Sequence, residues 1–282
     1  MKLKIEHELL YEYSDAVHLE PHYLYLQPKE NSLLALKSYQ LEIDPQPDFL
    51  ANNLDATDNT QQIIFFSKPS KKLQIKATSI IETTEFNPLS FVYHPFENSQ
   101  LPIQYNDRLQ QMLLPYLTKD GITTLIDQTA RQIAGNVNWN TTSFLTELNR
   151  FINGFAYEIR EEGQPNSPEI TLLSQTGSCR DYSVLFMSMC RVMGIAARFV
   201  SGYYFATHAE NPDEEQYLHA WVEVYLPGGG WRGFDPTQNC LVSGKHVPVG
   251  TSAISEMVTP VHGTYRGSAS STFQTKVKLV QI

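Results

Sequence analysis

Cysteine is scarce in this chain and poorly placed for cross-linking. Only three stand among 282 residues, an odd number too small for a disulfide framework. Cys179, Cys190 and Cys240 form no C-x-x-C pair and cluster with no histidine. That argues against a structural zinc site, and neither a metal nor another cofactor is expected. Long apolar runs are also missing. The opening "MKLKIEHELLYEYS" alternates polar and apolar residues, so it is not a signal peptide, and no segment reaches the length of a membrane span. A reducing cytoplasm is the expected location, with no membrane partner. Positive charge is the third shortage. Lys and Arg total 21 against 30 Asp and Glu, a net charge of -9. No basic run offsets it, which argues against nucleic acid as a partner.

Hydrophobic residues are plentiful by contrast. They make up 41% of the chain, with 15 Tyr and 14 Phe, enough for a well-packed core and too many for a disordered chain. From Met1 to about Glu85 the pattern has the period of strands: "LKIEHELLYEYS", "HYLYLQP", "KSYQLEIDPQP" and "KKLQIKATSIIETTEF" all alternate. Turn-forming clusters separate them and no helix interrupts. This predicts an antiparallel β-sandwich over residues 1–95. "FNPLSFVYHPFENSQLP" has no periodicity and reads as a linker. From Asp107 the period turns helical, through "DRLQQMLLPYL", "TTLIDQTARQIAG" and "TTSFLTELNRFING". Pro115 should kink or end the first, while Thr pairs open the other two and Gly closes them. "FAYEIR" reads as a short strand, and a last alternating strand, "FQTKVKLVQI", ends the chain. Residues 96–282 form the second expected domain, with its core at about 125–240. The fold class is α+β.

The stretch "TGSCRDYSVLFMSMCRVMG" puts a thiol at the start of an amphipathic helix. Cys190 lies within the helix body and reads as a packed core thiol. Cys179 occupies the first turn, where unpaired backbone N–H groups and the helix dipole favour a thiolate and can hold an oxyanion. Gly177 would let a substrate backbone approach closely. A nucleophilic thiol needs a base, and the base an orienting group. His219 heads "HAWVEVYL", a strand whose alternation sends His219 and Trp221 to one face. Asp235, before Pro236 in "GWRGFDPTQ", stands on the strand that returns after "PGGG". Taken singly, a strand histidine is commonly structural and an Asp-Pro commonly forms a turn. The hairpin nevertheless brings the two within cross-strand reach. Cys, His and Asp so arranged form a thiol analogue of the hydrolytic triad.

"GSCRDYSVLFMSMCRVMGIAARFVSGYY" followed by "HAWVEVYLPGGGWRGFDPTQ" resembles the core of the bacterial transglutaminase-like superfamily, over about Leu125 to Asn239. "HYLYLQP" and "LEIDPQP" are similar to the β-rich N-terminal domain that accompanies that core in bacteria, and "GTYRG" resembles the family's tail. The resemblance implies a papain-like α+β scaffold with Cys179 as nucleophile, His219 as base and Asp235 as orienting group. Ser178, Trp139, Tyr157 and Asp181 are its candidates for oxyanion-hole or supporting roles. Arg180 stands where relatives commonly carry Gln, and Gln238-Asn239 replaces the usual Asn-Gly after "DPT". The implied activity is acyl transfer from a peptide or protein amide. Hydrolysis is favoured over transfer to an amine, because no carboxylate cluster suited to Ca²⁺ is evident. A non-catalytic scaffold on the same fold is the rival reading.

Overall fold

The computed structural model describes residues 1–160, 163–206 and 218–282. Its first part is built from strands β1 (Lys2–Leu19), β2 (His22–Leu24), β3 (Leu34–Asp44), β4 (Phe49–Leu54), β5 (Thr60–Phe65) and β6 (Ser70–Thr83), without a helix. β1 pairs with β6, and β6 with β3, all antiparallel. β2, β5 and β4 form a second, smaller antiparallel sheet. The alternation seen in the sequence sets which face of each strand is buried. Leu3, Ile5, His7 and Leu9 of β1 are covered while their even-numbered neighbours are not, as the period of 2 requires.

The second part carries α1 (Asp107–Leu113), α2 (Thr124–Asn136), α3 (Thr141–Asn153), β7 (Ala156–Tyr157), α4 (Pro168–Ser174), β8 (Thr176–Gly177) and α5 (Cys179–Val192). There follow β9 (Ala197–Tyr204), β10 (Leu218–Leu226), β11 (Gly230–Asp235), β12 (Cys240–Leu241) and β13 (His246–Ser252), in sheet order β12-β11-β10-β9-β13. The expected ends of "IAARFVSGYYFATH" and start of "QYLHAWVEVYL", at 207–208 and 216–217, lie outside the described residues. α1 gives way at Pro115 to a short 3-10 turn, as its ring requires. Two caps differ from expectation. Asn140, not a threonine, caps α3 through its side chain on the Ser143 N–H, and Gly135 lies inside α2. The seven-residue α4 was not anticipated, although Ser167, Pro168 and Glu169 are a helix-start signature. Helices α2, α3 and α5 pack on one face of the sheet, with Phe144, Leu148, Leu185, Phe186, Val222 and Phe234 in a common core.

Beyond residue 260 the chain departs from the expected division. β14 (Val261–His262), β15 (Tyr265–Arg266) and β16 (Ser271–Gln281) all return to the first part. β16 runs antiparallel beside β1 from Leu3↔Gln281 to Tyr13↔Ser271. Alternation identified β16 as a strand but does not reveal a partner so distant in sequence. The expected linker also differs from a loose tether. Phe91 and Tyr93 pack against the core of the second part, and the His94 N–H donates to the Pro227 carbonyl. A Cβ on Gly228, whose φ is +88°, would stand 2.1 Å from the Val92 carbonyl oxygen. The "PGGG" turn is glycine-rich because this segment lies across it.

One long face of the β1–β16 sheet covers two different partners. At one end Leu3, Ile5, Val277 and Leu279 pack with Tyr203, Val247 and Val249 of the second part. At the other, Leu9, Tyr13 and Leu73 pack with Leu24 and Ile64 of the small sheet. His7 sits between them, fully buried, 3.0 Å from the Tyr203 hydroxyl and 3.1 Å from Thr275 Oγ1. Burial pushes its imidazole down to about 3, so the fold holds it neutral while the unfolded chain protonates near its ordinary value. The stability it lends is therefore present above about pH 6.5 and is lost as the pH falls toward 3. At up to about 1.4 kcal/mol per pH unit, this group alone costs roughly 2 kcal/mol between pH 6.5 and 5. Urea unfolding of His7→Gln should show a shallower acid loss than the natural chain; equal slopes would dismiss the assignment.

Candidate active site

Cys179 is the first residue of α5, 7% exposed, and the residues before it form a built junction. Ser178, the N-cap, donates both its N–H (2.7 Å) and its hydroxyl (2.8 Å) to Asp181 Oδ2. The other Asp181 oxygen accepts from Arg160 Nη2 and from the Asn166 N–H, each at 2.6 Å. A carboxylate that is 1% exposed thus has four donors at a helix N-terminus, a favourable site on both counts. Arg180 reaches the same loop, donating to the carbonyls of Arg160 and Gly163. Ser178 and Asp181 are therefore supports for the helix start and the loop before it. Gly177 has a packing reason of its own. A Cβ there would meet the Asp181 Cβ at 2.9 Å, so its bareness makes room for the capping carboxylate.

The hairpin supplies the other two groups. In the β10–β11 register Val222 faces Phe234, which puts Asp235 opposite Trp221 and diagonal to His219. His219 Nε2–H donates to Asp235 Oδ2 at 2.6 Å. The second carboxylate oxygen accepts the N–H groups of Thr237 (3.0 Å) and Gln238 (3.1 Å). Asp235 is thus turn former and histidine partner at once, one oxygen for each task. Asn153 of α3 holds that turn by donating to the carbonyls of Pro236 and Thr237. Asn239 adopts φ +48°, a left-handed position that asparagine tolerates, and this explains why a glycine is dispensable there.

A third residue was not foreseen. His246, buried on β13, donates from Nε2 to Asp235 Oδ2 at 3.0 Å, while its Nδ1 accepts the Ser243 N–H at 3.5 Å. Burial pushes its imidazole down, so it serves as a neutral donor. Its strand hid it: the pairing of β13 with β9 shifts register between Pro248 and Gly250, and those residues break the alternation that marks a strand. The ligand atoms of His219, Asp235 and His246 lie within 4.8 Å of one another, a closeness their mutual hydrogen bonds already explain. The titration directions agree with this network. Burial opposes the charged form of His219, yet the Asp235 carboxylate and the Cys179 sulfur overcome it and raise the imidazole to about 10. Burial likewise opposes ionised Asp235, but the His219 charge and the hydrogen bonds from His219 and His246 hold it low.

At Cys179 burial disfavours the thiolate, and the hydrogen bond and charge of His219, the Ala220 N–H and the charge of Arg180 outweigh it, leaving the thiol below its ordinary value. Burial pushes Cys190 well up and Cys240 to about 12. Iodoacetamide at pH 6 should therefore modify Cys179 first, read by peptide mapping; equal modification of all three would contradict this ordering. Tyr157 stands beside the thiol because β7 and β8 pair in parallel, Tyr157 opposite Gly177. Burial and the neighbouring sulfur charge push the phenol up, so it remains a donor. Trp139 is elsewhere. It occupies the turn between α2 and α3 at φ +59°, 38% exposed, and does not line the cleft that holds Cys179.

That cleft has a volume of about 1100 Å³ and is bordered by Tyr157, Cys179 and His219. These three residues fall within a recognised region. The sequence profile of the transglutaminase-like superfamily matches residues 127–236, and that of the bacterial transglutaminase-like N-terminal region matches residues 3–82. The two matches identify a transglutaminase-like core and a bacterial transglutaminase-like N-terminal region in this chain. Among its relatives, the uncharacterized protein Rv2569c of Mycobacterium tuberculosis is 25% identical over 99% of this chain and 92% of its own. The uncharacterized protein ML0607 of Mycobacterium leprae is 24% identical over 76% and 75%. A candidate cysteine protease from Cytophaga hutchinsonii shares the transglutaminase-like fold with a TM-score of 0.75 and 17% identity, over 100% of this chain and 91% of its own. No helix among the described residues is long and apolar enough to cross a membrane.

Proposed function

We propose that this protein is a cysteine peptidase or amidase that cleaves a peptide or isopeptide bond in a peptide or protein substrate. The observation that carries the reading is the hydrogen bond of His219 to Asp235 beside Cys179, with the thiol lowered by His219 and the imidazole raised. The resting site is then a thiolate–imidazolium pair. The Cys179 sulfur attacks the carbonyl carbon, and the oxyanion that forms is met by the Cys179 N–H and the Tyr157 hydroxyl beside it. Collapse breaks the C–N bond, and His219 gives its Nδ1 proton to the departing amine, leaving a thioester. Water, deprotonated by the now neutral His219, attacks the thioester and releases a carboxylic acid and the regenerated thiolate.

Incubation with a mixed library of peptides and isopeptides, with a labelled primary amine in excess, tests this by mass spectrometry. Hydrolysis products should dominate. Exclusive incorporation of the amine would make the enzyme a transamidase, and a failure of any peptide to acylate Cys179 would leave a scaffold protein.

A further inference from the structure

The cleft is not made by the second part alone. Lining it together with Cys179 and His219 are Leu9 and Tyr11 of β1 and Phe273 and Thr275 of β16. These four are register partners, Leu9 with Thr275 and Tyr11 with Phe273, so they share one face of the sheet. The Tyr11 and Phe273 rings lie 4.7 Å apart between centroids, an aromatic surface of two side chains that are each half-buried. Phe199, Val258 and Val261 continue the apolar lining. Among the described residues its charged members are few. Arg160 is engaged by Asp181 and Arg180 by backbone carbonyls, both beside the thiol, while Glu256 accepts from Ser255. A fixed geometry is also provided. The buried His7 hydrogen-bonds Tyr203 of β9 and Thr275 of β16, and Leu3, Ile5, Val277 and Leu279 pack on the same sheet that carries His219. The aromatic wall is therefore held at a set position relative to the nucleophile.

We propose that the β1–β16 sheet, through Tyr11 and Phe273, is the specificity wall of the cleft and selects acyl donors with an aromatic or large aliphatic side chain near the reacting amide. The proposal rests on the acyl-transfer reading of Cys179 for its substrate, but not for its binding surface. A volume of about 1100 Å³ exceeds what a reacting amide needs and suits a peptide segment. Its chemistry is that of an apolar side chain offered an aromatic face. Charged side chains against Tyr11 and Phe273 would be desolvated by rings and aliphatic groups, since the charged lining residues among those described, Arg160, Arg180 and Glu256, are already engaged.

Paired peptides differing only in Phe or Ala beside the reacting amide provide the test. With the natural chain, kcat/KM should favour the Phe peptide by about tenfold to a hundredfold. Tyr11→Ala and Phe273→Ala should each reduce that ratio by about tenfold, and Tyr11→Phe should restore it. Iodoacetamide modification of Cys179 is followed in the same variants. Loss of both peptides together with slower alkylation would mean a disturbed site and would overturn a selective role, as would an undiminished ratio. Binding of both peptides to Cys179→Ala separates this proposal from the enzymatic one. Preference for Phe there without turnover in the natural chain would retain the wall and sink the enzyme. Turnover without preference would do the reverse.

Discussion

Cys179→Ala is expected to reduce turnover of every amide substrate to background, a loss of about five to six orders of magnitude if thiol and imidazole act as one unit. The fold should survive, because the Ser178–Asp181 bonds that start α5 do not involve the thiol. Cys190→Ala gives the contrast. That thiol is fully buried in the body of the same helix, and its loss should lower stability by roughly 1–2 kcal/mol while leaving turnover in place. Kinetics with the best peptide and urea unfolding of both variants would decide. Full activity in Cys179→Ala would sink the nucleophile assignment.

The second large effect is expected at Asp235→Asn. Asparagine keeps an oxygen for the Thr237 and Gln238 N–H groups, so the turn should hold. Its amide cannot carry the charge that raises His219, and it favours the wrong imidazole tautomer. Activity should fall by about two to four orders of magnitude, with the serine triad as upper guide. The pH dependence gives a more specific signature. With the imidazolium less favoured, the Cys179 thiolate forms at higher pH and His219 loses its proton at lower pH. The plateau of Cys179 alkylation against pH should narrow from both sides. An unchanged plateau with near-normal activity would reduce Asp235 to a turn residue and leave a Cys–His pair.

Most of this site was legible because its signals are local. A thiol at the first position of an amphipathic helix is readable from spacing, and so is a hairpin whose strands carry His219 and Asp235. The two readings of Asp235, turn or triad, proved compatible once each oxygen had its own donors. Tyr157 was legible only through the resemblance, since nothing in "FAYEIR" tells that the short strand pairs beside Gly177. Trp139 was misleading for the opposite reason: an aromatic at a helix–helix turn has no sequence mark that separates it from one in a cleft. His246 was missed because Pro248 and Gly250 conceal its strand. The return of β16 was missed because periodicity names a strand without naming its neighbour.

That return also orders events in time. During synthesis β1 is made well before β16, so Leu3 and Ile5, which Leu34 and Ile81 can cover early, wait much longer for Val277 and Leu279. Closing so long a loop is slow compared with forming a helix or a hairpin. Cys179, His219 and Asp235 are all made before the strand that carries Phe273. A growing chain therefore carries Cys179 while one wall of the cleft is still half built, and that wall is complete only when β16 docks.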